Sequence, residues 1–323
     1  MENAQQITRD AAIKKIKKTD KKTRIKWNFT RNWPLHLMVL PAFLVVLLFQ
    51  YGPLPGLIMA FQQYKPWLGF TDSPFVGLDQ FAKMWEFPQS RQVILNTLII
   101  ASLKVLFQLI VPFVFALLLN EIRAIGYKRT IQTMVYLPHF LSWVILGGIL
   151  IDMLSTDGGM VNRILGAVFG IQPIFFLGNG DWFRFTIVVS DVWKDFGFAT
   201  IIFLAALAGI DPSLYEAAVI DGCNRFKQVL YITIPGLIPI AIVVGTLSLG
   251  SILNAGFDQI FNLYNPLVYG KGDIIDTYVY RVGLLSGDYS FATAVGMFKS
   301  VVSFILIMIA YRMAYVFANY RIF

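Results

Sequence analysis

Six stretches of about 20 mainly apolar residues recur along a chain of 323 residues, and this recurrence constrains the fold more than any other feature. Lipid offers backbone N–H and C=O groups no partner, so a run of that length crosses a bilayer as a helix. The runs fall near residues 35–58, 92–119, 131–152, 184–208, 235–257 and 292–317. Composition agrees, with 57% hydrophobic and 14% charged residues against roughly 45–50% apolar in soluble domains. The expected fold is an all-α integral membrane protein with six transmembrane helices. That composition argues against a water-soluble enzyme.

The first run is too long, and begins too far from the N-terminus, for the apolar core of a cleaved secretory signal. It reads as an uncleaved first span. Gly159 to Gly170 is apolar but only a dozen residues long, which suits a short helix in or near an external loop.

Charge orients the spans. The formal charge is +8, but residues 1–31 hold 10 basic and 3 acidic side chains, leaving 17 basic and 16 acidic for the rest. An excess confined to one tail ahead of the first span, residues 1–33, is a topology signal and not a nucleic-acid-binding surface. Its run of Lys14, Lys15, Lys17, Lys18, Lys21 and Lys22 could rest on anionic headgroups. With the N-terminus in the cytoplasm, the inner segments collect Arg123, Lys128, Arg129, Arg225, Lys227, Arg312 and Arg321. The outer loops, near 59–91, 153–183 and 258–291, are richer in Asp. Both termini are therefore expected to be cytoplasmic, on one permease domain over 34–323.

One cysteine, Cys223, and two histidines, His36 and His139, leave no disulfide and little for a metal site. No catalytic, cofactor or metal residues are expected. His36 and His139, beside Pro34 and Pro138, are expected to pack or bond locally.

The inner loop over 209–234 is unlike a simple connector. Asp211-Pro212 is a helix start and Gly222 a helix stop. Between them Leu214, Ala217, Ala218 and Asp221 share one face, flanked by Glu216. Phe226, Val229 and Leu230 would form a second short apolar face leading to the next span. A small-residue helix of this kind could let a soluble partner approach closely or could lie on the membrane surface.

At these residues the sequence resembles a family. Glu216-Ala217-Ala218, three residues, Gly222, nine residues, then Ile232 and Pro235 is similar to the signature of membrane subunits of binding-protein-dependent ATP-binding-cassette importers. It departs at Ile234, where the family prefers Leu. Asn96-Thr97-Leu98, Lys128-Arg129-Thr130, Tyr136 to Trp143, Asn254 to Tyr269 and Asp276 to Arg281 resemble LplB-type sugar permeases, of the maltose-transporter class, whose relatives include alginate-oligosaccharide permeases.

The resemblance implies a type I ABC importer permease fold in a bacterial cytoplasmic membrane, importing an oligosaccharide. It implies a second related permease, two ATPase subunits carrying ATP and Mg, and an extracytoplasmic solute-binding protein as partners. Residues 212–221 would form a coupling helix in a cleft of the ATPase, Glu216 pairing with a basic residue, Ala217 and Ala218 packing closely and Gly222 turning. The chain has no G-x-x-x-x-G-K-[ST] loop of its own, so ATP hydrolysis is expected elsewhere.

Charges inside spans are costly and usually face protein or water. Lys104 sits midway along the second run, and Asp191, Lys194 and Asp195 share a face of the fourth with Trp193 beside them. That face would line a solute path, contact a second permease, or fix packing as an ion-pair cluster. Asn254, Asp258, Gln259, Asn262, Tyr264 and Asn265, with Gln108, have the amide, carboxylate and aromatic composition of sugar sites. The rival functions are an ion-coupled secondary transporter, which would show repeated halves, and a membrane-embedded enzyme, for which only Asp191 and Asp195 offer a candidate acid–base pair.

Overall fold

The computed structural model describes residues 29–250 and 252–318. The basic tail up to residue 28, Arg321 and the two chain ends whose sidedness the charge pattern predicts lie outside the described residues.

The chain divides at Pro55 into two units. The first contains α1 (Phe29–Val46), which continues through a π-helical turn at Leu47–Tyr51. A 3-10 segment, Leu54–Phe61, follows, and Trp33–Phe61 is long and apolar enough to cross a membrane.

The second unit is helical throughout its main elements. They are α2 (Asp79–Glu86), α3 (Pro88–Glu121), α4 (Ile125–Tyr136), α5 (Trp143–Leu154), α6 (Met160–Phe169) and α7 (Gly180–Ala208). They continue with α8 (Pro212–Ile220), α9 (Ile234–Gly250), α10 (Phe257–Leu263), α11 (Ile275–Val279) and α12 (Tyr289–Ala318). Among the described residues four helices are long and apolar enough to span, or six if each of two bent pairs is counted as one.

One bent pair corrects the sequence expectation; the other, α7 and α8, falls at the expected helix start, Asp211-Pro212. The run 131–152 is not one helix: α4, prolonged by a 3-10 turn at Leu137–Phe140, meets α5 at 100°. Pro138 cannot donate to the helix behind it. Ser142 then caps the next helix, its Oγ accepting from Ile145 N–H at 3.3 Å. The fifth run ends at Gly250, not 257, and restarts as α10 after Gly256, whose φ of +92° suits glycine. The second short helix expected after Gly222 is not separate either. Arg225–Gln228 and a π turn at Val229–Thr233 run into α9, giving an unbroken helix over Arg225–Gly250.

α3 packs along α7, and α9 along α12. Three buried clusters hold them. Ile100 and Ala101 meet Phe183, Ile187, Ala255, Ile260 and Ile274. Val93 and Met84 meet Tyr278, Phe291 and Val295. Ala116 meets Phe203, Leu207 and Leu237 near the other end of α3 and α7. The 29 residues of α7 extend about 44 Å at 1.5 Å per residue, so α6 and α8 stand at its opposite ends.

Candidate functional site

Local sequence builds α8 at both ends. Asp211 accepts from Ser213 N–H at 2.9 Å, and Pro212 fills the first helical position, where no N–H is needed. The Ser213 N–H holds the Asp211 carboxyl below its ordinary range. At the far end Cys223 N–H reaches Ala218 O at 2.8 Å and Gly222 N–H reaches Val219 O at 3.0 Å, with Gly222 at φ +74°. This is a Schellman stop, which requires the left-handed residue glycine supplies.

The helix leaves α7 at 67° and buries none of its residues. Leu214, Glu216, Ala217 and Asp221 are exposed and Ala218 half-buried. Val219 and Ile220 are 62% and 87% exposed, and Phe226 75%. Two contacts fix it to the next span. Tyr215 Oη and Thr233 Oγ1 lie 3.0 Å apart, and Ile210 fits against Gly236, where a Cβ would come within 2.8 Å of it. Arg225 also pairs with Glu121 at the end of α3, at 3.3 Å.

A second polar group lies deep in the helical contact. Lys104 Nζ donates to Asp191 Oδ1 at 3.0 Å, to the Ala255 carbonyl at 2.7 Å and to Gln259 Oε1. Gln108 Nε2 donates to the other Asp191 oxygen at 2.6 Å. Gln259 Nε2 donates to the Ile187 carbonyl and Ser190 Oγ at 2.8 and 2.9 Å. Lys104, Asp191 and Gln259 are at most 8% exposed. The network joins α3, α7, the break before α10 and α10 itself, with the polar atoms of Lys104, Asp191 and Gln259 all engaged. Gly256 stands beside it at φ +92°, a conformation that favours glycine, and a Cβ there would come within 2.8 Å of Lys104 Nζ.

One turn along α7 the arrangement opens. Asp195 Oδ1 lies 2.8 Å from His139 Nδ1 and 3.5 Å from Lys194 Nζ, which donates to the His139 carbonyl at 2.8 Å. The His139 and Asp195 side chains are about one-third exposed. His139 was expected to bond locally. Instead it pairs 56 residues away and stacks on Phe198 at 4.1 Å. Its place in the turn between α4 and α5 brings it across α7.

Trp193 does not join this group. It is 48% exposed and lines an apolar groove of about 690 Å³ between α3 and α7 with Leu103, Phe107 and Phe196. Asn254 and Asp258 are exposed. Asn262, Tyr264 and Asn265 line a cavity of about 360 Å³ together with Asp152, Ser155 and Thr156. Asn265 is engaged by the backbone, donating to Leu177 O and capping Leu267 N–H at 2.8 and 3.0 Å. Asp152, at the end of the third apolar run, supplies the cavity's carboxylate.

Comparison with known proteins follows the same lines. The sequence profile described as "Binding-protein-dependent transport system inner membrane component" matches residues 108–319. The chain is 45% identical over 273 residues to Protein LplB of Bacillus subtilis (strain 168), covering 84% of this chain and 86% of that protein. It is 40% identical over 299 residues to the polygalacturonan/rhamnogalacturonan transport system permease protein YteP of the same organism, covering 93% of each. A chain from the crystal structure of a bacterial ABC transporter involved in the import of the acidic polysaccharide alginate superposes with a TM-score of 0.83 at 38% identity. That match covers 91% of this chain and 99% of the other.

Proposed function

The chain belongs to the family of binding-protein-dependent transport system inner membrane components, and on that premise we propose that it is the permease subunit of an ATP-driven oligosaccharide importer in a bacterial cytoplasmic membrane. It forms half of the solute path, a second related permease the other half. Two ATPase subunits supply the energy, carrying ATP and Mg, and an extracytoplasmic binding protein delivers the sugar. The relatives named for polygalacturonan, rhamnogalacturonan and alginate support a carbohydrate cargo. Because the relatives are transport permeases, transport is favoured over the enzyme and ion-gradient readings.

The observation that carries coupling is α8, a capped helix with no buried residue whose apolar side chains are left to water. Exposed apolar clusters of this kind mark a docking surface. Its small face, Ala217 and Ala218, allows close approach, and Glu216 offers a charge to a basic partner. The fixed joints at Tyr215–Thr233 and Ile210–Gly236 would carry a displacement of α8 into α7 and α9 together. ATPase closure thereby biases the membrane helices between two arrangements.

For the solute, Asp195 and His139 pair with about one-third of each side chain exposed, and Asp152, Asn262 and Tyr264 line the more polar cavity. We assign the solute path to these, and the Lys104, Asp191, Gln259 and Gln108 network to holding the helices beside it.

Glu216→Lys in the reconstituted transporter tests coupling. The expected result is a complex that loses its ATPase subunits, or hydrolyses ATP without uptake. Normal uptake at normal ATP cost would overturn the assignment.

A further inference from the structure

The helix α6 is built the wrong way round for water. Its inward face carries Asn162, whose Nδ2 donates to the Leu154, Ser155 and Ile174 carbonyls at 3.4, 3.0 and 3.0 Å and whose Oδ1 accepts from Ile174 N–H at 2.9 Å. Those bonds clamp the helix to the end of α5 and to the segment leading into α7. Its outward face carries Met160, Ile164 and Val168 at i, i+4 and i+8, exposed by 60, 47 and 65%. A soluble amphipathic helix buries the apolar stripe and shows the polar one. Here the amide of Asn162 is buried and the apolar stripe is bare.

We propose that α6 lies in the interfacial plane of the outer leaflet, with Met160, Ile164 and Val168 inserted among phospholipid acyl chains and Arg163 reaching a headgroup phosphate. Three observations favour lipid as the occupant. Arg163, the helix's one charged residue, is exposed and borders the apolar stripe, matching an anionic headgroup. Ile174 leads directly to Phe176, which packs edge-on against Trp182, and Trp182 against Phe185. Trp182 is 39% exposed in the first turn of α7, the position of aromatic residues that mark the headgroup level at a span's end. The ten residues of α6 are too few to cross a bilayer and suffice to lie on one. Only the choice of leaflet rests on the proposed function, since α6 stands at the end of α7 opposite the coupling helix.

Nitroxide labels at Ile164→Cys and, separately, Val168→Cys in a Cys223→Ser background test this in the assembled transporter in phospholipid nanodiscs. Collision with oxygen, which concentrates in lipid, is compared with collision with a water-soluble nickel chelate. The expected result is oxygen-dominated relaxation at both positions. Nickel-dominated relaxation would place the face in water and overturn the proposal. Protection from both agents, or protection appearing when the binding protein is added, would assign the face to a protein and overturn it as well. Gln172→Cys, at a position exposed just beyond the helix, labelled with an impermeant thiol reagent on intact cells, reports the leaflet separately. Labelling with the coupling helix instead of opposite it would fail the functional reading while leaving the lipid contact standing.

Discussion

Lys104 of α3 and Asp191 of α7 face each other across the buried contact of their helices at 3.0 Å, 87 residues apart in sequence. Removing one partner of such a pair leaves an uncompensated buried charge, which costs about 3–5 kcal/mol. Lys104→Met is expected to lower the thermal midpoint of the purified complex sharply. Adding Asp191→Leu should recover part of the loss, because it removes the stranded carboxylate. A double variant less stable than the single one would show that Asp191, still bonded by Gln108, is not stranded when the lysine is removed.

Gly197 and Gly148 form a matched test of helix packing. A Cβ at Gly197 would run into the backbone carbonyl of Val135 on α4, which no rotamer change can relieve, while Gly148 has open space around it. Gly197→Ala should destabilise the complex by about 1–3 kcal/mol, as overpacking does. Gly148→Ala should be neutral or stabilising by up to about 1 kcal/mol from helix propensity. Thermal unfolding followed by size-exclusion fluorescence reads both.

What the sequence reveals depends on whether the signal is local. The apolar runs and the ends of α8 are written in consecutive residues: length without charge, Asp211-Pro212 at the start, Gly222 at the stop. The break between α4 and α5 is not so written. Pro112 sits within the unbroken α3 and Pro239 within α9, so Pro138 alone does not announce a 100° bend. Ser142 supplies the missing half by capping a new helix. The shared face of Asp191, Lys194 and Asp195 is legible from helical spacing. Their partners Lys104, Gln108, Gln259 and His139 are not, because tertiary packing brings them together from other elements. Trp193 illustrates the limit of proximity, standing two residues from Asp191 yet facing the groove on the other side.

Asp211 makes the start of α8 sensitive to pH. Its carboxyl is held below the ordinary value by the Ser213 N–H, so its contribution to helix stability is full above the unfolded pKa. It is lost as pH falls through the lowered folded value. Hydrogen exchange at Ser213 and Leu214 should therefore speed up, relative to the intrinsic rate, only in acid. Asp211→Ala should show the fast exchange already at neutral pH, and Asp211→Asn, which retains a capping oxygen, should stay close to the parent without the acid step. Equal protection in all three would mean that α8 is held by its tertiary contacts alone.

Tyr215→Phe separates docking from transmission. The substitution keeps the ring and the exposed face of α8 and removes only the hydroxyl that meets Thr233 Oγ1 at 3.0 Å. A single hydrogen bond of this kind contributes about 0.5–1.5 kcal/mol, enough to loosen the joint between α8 and the helix of span five without unfolding either. Thr233 still has the Gln228 carbonyl within reach at 3.4 Å, so no buried hydroxyl is stranded. The ATPase subunits should therefore remain bound at normal stoichiometry while the number of ATP hydrolysed per sugar imported rises about two- to tenfold, the range that energy corresponds to. Uptake at the parental ATP cost would show that α8 drives α9 through the Ile210–Gly236 contact instead, and loss of the ATPase subunits would show that Tyr215 belongs to the docking face.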